Sequence, residues 1–106
     1  MDNPLVGKTI TITYETGFPG TSIEINFFSA HQKTSTSRNA ANPWFNTDTY
    51  DVVVIAPKIY MASWMGEDGH VVTAVFNLND MRINSTYSNP EPKRVVMAGI
   101  IDEVIE

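Results

Sequence analysis

The chain contains no cysteine. A disulfide framework, a thiolate nucleophile and a zinc–thiolate centre are therefore excluded, and stability must come from packing. Basic residues are few and scattered: seven Lys and Arg stand against twelve Asp and Glu, a formal charge of -5. The electrostatic attraction that dominates nucleic-acid binding is missing, so no DNA or RNA partner is expected. No stretch has the ~18 consecutive apolar residues of a membrane-crossing helix, and the opening "MDNPLVGK" lacks the basic segment and apolar run of a signal peptide. The expectation is a soluble, cytoplasmic protein without a membrane partner. "NST" at Asn84 matches the glycosylation pattern, which without secretion reads as coincidence.

What the chain does have is period-two alternation. In "KTITITY", Ile10, Ile12 and Tyr14 alternate with Thr9, Thr11 and Thr13, giving one apolar and one hydroxyl face. "GFPG" turns the chain, and "TSIEINFF" sets Ile23, Ile25 and Phe27 against Ser22, Glu24 and Asn26, completing a hairpin. From Ala30 to Thr49 the signal weakens, leaving "KTSTS" as a short strand and "NAANPWFNTD" as a loop. Trp44 and Phe45 in that loop need a surface to dock on, as a lid or as a partner contact.

From Tyr50 onward the punctuation is regular: "YDVVVIA", "IYMASWM", "HVVTAVFN" and "RINSTYS" are separated by Pro57-Lys58, "GEDG" and "LNDM". The last segment, "RVVMAGIIDEVIE", reads as a long strand or a short helix. Its β-branched clusters favour a strand, with Gly99 as a kink or bulge. Seven or eight short strands joined by tight turns predict an all-β fold, a small antiparallel up-and-down barrel formed as one domain over residues 1–106. Closure removes exposed edges and can leave room for one small ligand.

The stretch "YMASWMGEDGH" reads as a strand, a turn and the start of the next strand. Tyr60, Ala62 and Trp64 share one face, and Ile59, Met61, Ser63 and Met65 the other. With both faces largely apolar, one can line the interior while the other meets a helix, a lid or a second subunit. Glu67, Asp68 and His70 are expected outside any cavity.

"GKTITITYETG" and "YDVVVIAPKIYMASWMGEDGHVVTAVFNLNDMRINSTY" resemble the MoaF-like proteins and, more distantly, the bacterial phenolic acid decarboxylases. The resemblance implies a calycin-type, lipocalin-like barrel. The decarboxylases use two tyrosines two apart on the first strand, an arginine in the loop before the strand that here begins at Tyr50, and a glutamate two residues after the strand tryptophan. Tyr14 matches the second tyrosine, but the first falls on Ile12, the glutamate on Gly66, and the arginine near Pro43, with Arg38 loosely placed. Glu67 cannot stand in, because a one-residue shift along a strand reverses the side chain's face. Phenolic acid decarboxylation is therefore not expected.

Tyr14, Tyr60 and Trp64 are the expected walls of a ligand cavity, with Arg38 or Trp44 at its mouth; ordinary core packing is the other account of the aromatics. His31 and His70 have the pKa range for proton transfer, but each lies beside a turn with no orienting carboxylate evident. Tyr14 and His31 are the weak catalytic candidates. A two-histidine metal site with Asp48 or Asp51 lacks a supporting ligand spacing, so no metal and no cofactor is expected. Arg82 shares a face with Asn84 and Thr86, a polar row pointing to the lumen or to solvent. The functional expectation is binding of a small, mostly apolar or aromatic molecule. The alternatives are a cofactor-free isomerase or lyase using Tyr14 and a histidine, and a filled barrel acting through its surface, as a homodimer on the Met61 and Met65 face.

Overall fold

Period-two alternation becomes strand wherever the sequence carries it. The computed structural model describes residues 3–91 and 93–106, and its strands are β1 (Thr9–Thr16), β2 (Ser22–Asn26), β3 (Gln32–Ser37), β4 (Phe45–Ala56), β5 (Ile59–Met65), β6 (Val71–Asn77), β7 (Arg82–Asn89) and β8 (Lys93–Ile105). Each pairs antiparallel with its chain neighbour, and β8 closes on β1, giving the expected up-and-down barrel. The C-terminal segment is a strand.

Gly99 sits at the closure seam, opposite Tyr14 on β1 and Ile83 on β7. A methyl group there would collide with the Thr13 carbonyl oxygen and the Tyr14 Cα. The β1–β8 register shifts between Thr11 and Ile12, passing over Asp102 of β8, and again between Tyr14 and Thr16, passing over Glu15 of β1, so one bulge on each strand bends the seam around the barrel.

One boundary departs from the sequence reading. β4 starts at Phe45 rather than Tyr50, because residues 45–49 pair with Thr36 through Gln32 of β3. The inward positions of this pair are Lys33, Ser35, Ser37 and Asp48, all buried. Their face is polar, so no apolar alternation marks it.

The barrel is packed at one end and open at the other. Leu5, Ile10, Phe27, Tyr50, Phe76 and Ile83 fill the packed end and are essentially inaccessible. Phe27 meets Tyr50 and Phe76 edge-on, with centroids 5.0 and 5.9 Å apart. Such pairs add about 0.5–1.5 kcal/mol to the area they bury. Asn3 donates to the Tyr50 hydroxyl at 2.8 Å, and that hydroxyl donates to the Ser29 carbonyl at 2.8 Å, so the N-terminal segment plugs this end. At the opposite end converge the β1–β2, β3–β4 and β5–β6 connections.

Candidate functional site

Inward positions nearest the open end enclose a cavity of about 440 Å³. Ile12, Ile23, Ile25, Val72 and Met97 supply its apolar wall; Tyr14 and Trp64 are its deep aromatics. Phe18, Trp44 and Tyr87 ring the mouth, with the Phe18 and Tyr87 rings edge-on at 5.9 Å. The volume suits a mono- or bicyclic molecule.

Three polar groups are built into this wall. Tyr14 donates its hydroxyl hydrogen to Ser85 Oγ at 3.0 Å from inside the barrel, and burial raises the phenol pKa while that bond pulls it partly back. The second group rests on a buried lysine. Lys33, 0% exposed, donates to Ser35 Oγ at 2.6 Å and Asp48 Oδ2 at 2.9 Å, and its ammonium lies 3.8 Å from the Trp64 ring centroid. Two hydrogen bonds and an aromatic face occupy the three ammonium hydrogens. Desolvation lowers the Lys33 pKa, and Asp48 restores part of it. Asp48 and Ser35 face the cavity above this cation.

The third group is at the rim. His70 lines the cavity, its Nδ1 against Asp68 Oδ1, which also accepts the His70 backbone N–H at 3.1 Å. The imidazole stacks on Tyr87, centroids 5.5 Å apart and planes 23° from parallel. Its other flank lies over Gly66, where a Cβ would occupy the ring's own space. Asp68 is pulled below its ordinary pKa, by the His70 backbone N–H first and the imidazole second. With Nδ1 engaged, Nε2 is the nitrogen free for a ligand.

Tyr14, Trp44 and Trp64 therefore meet in the cavity, whereas Tyr60 is buried but does not line it. Tyr60 shares Trp64's face four residues nearer the packed end, and period two assigns a face without assigning depth. Arg38 is exposed near the open end, its guanidinium 3.6 Å from Glu24 and outside the cavity lining. His31 is exposed in the β2–β3 connection, at the packed end, so it is not brought to Tyr14. Nor do His31 and His70 converge, and Asp51 is exposed, so the two-histidine metal set is not assembled. Arg82, Asn84 and Thr86 face solvent, with Arg82 bonded to Glu15 at 2.9 Å. Met61 and Met65 lie on the outer face; Met65 is 62% exposed, and Met61 pairs with exposed Val53.

His70 and Asp68 correct the sequence reading, which put both outside. The tight turn folds the ring back over Gly66 onto Tyr87 instead of continuing along β6. Lys33 and Asp48 were not singled out as a pair, although the phase of "KTSTS" places Lys33 on one face with Ser35 and Ser37.

The MoaF-like family model matches residues 6–102. Among solved structures, a Burkholderia vietnamiensis protein described as a "putative beta-lactamase" superposes with a TM-score of 0.85 over 99% of each chain, at 12% identity. At that identity the likeness is one of fold. No curated protein matches the sequence.

Proposed function

The chain belongs to the MoaF-like family, and from its half-open barrel we propose that it is a small-molecule container whose ligand sits between Tyr14, Trp64 and the mouth aromatics. The observation that carries this reading is the cavity of about 440 Å³ at one end of a barrel whose other end is tightly packed. A barrel this small can fill itself with side chains. Here Leu5, Phe27, Tyr50 and Phe76 fill the plugged end, while the aromatics of the other end stand around the cavity as walls and rim.

Trp44 and Trp64 are the chain's two tryptophans, and both line the cavity. Intrinsic fluorescence therefore reports directly on occupancy. Titration with small aromatic and apolar compounds should quench it saturably, and Trp44→Phe and Trp64→Phe should each remove part of the signal. A flat response across all compounds, in wild type and both variants, refutes the container.

A second reading is favoured by the oriented imidazole. His70 Nε2 at the rim, with Asp68 holding Nδ1, has the arrangement of a general base, so the cavity could shuttle a proton on a bound carbon acid as a cofactor-free isomerase. Solvent deuterium exchange into a bound ligand, lost in His70→Gln with binding retained, would distinguish this enzyme from a carrier.

A further inference from the structure

We infer that the molecule taken up by the cavity carries a protonated nitrogen, seated on Asp48 Oδ1 and against the Trp64 and Tyr14 rings. This rests on the container reading and adds the ligand's chemical class. Asp48 is 9% exposed and lines the cavity, and its Oδ2 is taken by Lys33. Oδ1 has no hydrogen-bond partner among the described residues, yet no side-chain N or O atom among them is both buried and unsatisfied. Oδ1 therefore opens into the cavity, an acceptor awaiting a donor.

To an anion the wall offers only neutral donors such as Asn46 and the rim imidazole of His70, which Asp68 already holds. Neither Lys nor Arg lines the cavity. The ammonium of Lys33 is committed to Ser35, Asp48 and Trp64 below the surface. Arg38 and Arg82, the residues suited to grip a carboxylate, point outward to Glu24 and Glu15. A carboxylate ligand would meet Asp48 within and Asp68 at the rim. An ammonium would meet a carboxylate oxygen and aromatic faces, the two environments that favour it. The site already holds one such cation: Lys33 lies between Asp48 and the Trp64 ring. Because Lys33 offsets much of the Asp48 charge, the preference over a neutral donor should be moderate, about tenfold.

Three ligands with one bicyclic body test this: 1-naphthylmethylamine, 1-naphthalenemethanol and 1-naphthoate, titrated calorimetrically into the wild-type protein at pH 7. The amine should bind about tenfold tighter than the alcohol, and the carboxylate weakest. Asp48→Asn should bring amine and alcohol to equal affinity, while Asp68→Asn should preserve most of the gap. Equal binding of amine and alcohol by wild type, or tightest binding of the carboxylate, overturns the nitrogen inference and leaves the container standing. Failure of all three to bind, together with a flat fluorescence response, overturns the container itself. A gap that survives Asp48→Asn or vanishes in Asp68→Asn overturns Asp48 as the seat. The wild-type series decides the ligand class even if Asp48→Asn does not fold.

Discussion

Removing either half of the Lys33–Asp48 pair should destabilise the barrel, but unequally. The Lys33 side chain is wholly inaccessible and that of Asp48 nearly so, with 2.9 Å between Nζ and Oδ2. Breaking such a pair from one side costs about 3–5 kcal/mol, chiefly because a charge is stranded. Lys33→Met strands a carboxylate that still has Oδ1 in the cavity, where water reaches it, so the loss should fall near 3 kcal/mol, or about 15 °C in Tm. Asp48→Asn strands the ammonium in the wall and should cost nearer 4 kcal/mol. Its ceiling at pH 7 is the cost of shedding the proton from an ordinary value of 10.5, about 4.8 kcal/mol. The double variant strands nothing and should lose about 3 kcal/mol less than the two single losses added. Where rising pH makes the folded Lys33 of Asp48→Asn shed its proton, a neutral folded Lys33 faces a protonated unfolded one, so the unfolded state binds more protons. Stability should then rise with pH, by about 1.4 kcal/mol per unit, until 10.5. Urea unfolding of wild type, both single variants and the double variant at pH 7, 8 and 9 measures these free energies and their pH slope, and thermal melts measure the Tm shift. Additive single losses, or an Asp48→Asn penalty independent of pH, would refute the buried-cation account.

Gly66→Ala should expel the His70 ring from its place over the turn, costing about 1 kcal/mol of stacking and turn geometry; the His70 and Tyr87 ring-proton shifts in NMR spectra, unchanged in the variant, would contradict this. Tyr14→Phe leaves Ser85 Oγ without its donor and should cost about 1–2 kcal/mol. Because burial raises the Tyr14 pKa, the wild type should lose stability as pH climbs past 10.0 through the higher folded value, and the variant should lose less there; alkaline denaturation curves of equal steepness would count against it. Gly99→Ala drives a methyl into the Thr13 carbonyl, where only backbone can yield, so it should cost more than the ~1 kcal/mol of a propensity change and free β8 amide protons to exchange.

Strands were legible where alternation separated apolar from polar residues, as in β1 and β2, and where turn residues bounded apolar or β-branched runs, as in β5 to β7. β3 and the first part of β4 carried no such contrast. The short strand expected at "KTSTS" is β3, but its inner face buries Lys33, Ser35 and Ser37, and Asp48 beside them lies in a segment that reads as a loop. The pair becomes visible only when register sets Lys33 opposite Asp48. Tyr14 and Trp64 stand out as aromatics on an inward phase, and Trp44 as an apolar loop residue that needs a surface. Tyr60 obeyed the same phase and missed the cavity, since depth depends on which barrel end is plugged and Asn3 and Leu5 decide that from the far end of the chain.

Gly66 shows how a residue that looks like a loss can mark a gain. Against the decarboxylase pattern it stands where an acid/base glutamate is expected, and its lack of a side chain reads as missing chemistry. In the fold, that lack is the space the His70 imidazole occupies. A glutamate at position 66 and a histidine folded back from position 70 cannot share this volume, so the rim holds one ionisable group or the other. Asp68 then orients the imidazole and Tyr87 supports its face. The polarity of the rim is retained while its chemistry changes, from a carboxylate to an imidazole. The polar groups of the interior are a carboxylate fixed by a buried cation and a phenol bonded to serine. Substituting Gly66 should therefore alter His70 and the mouth while leaving Asp48 and the deep wall intact.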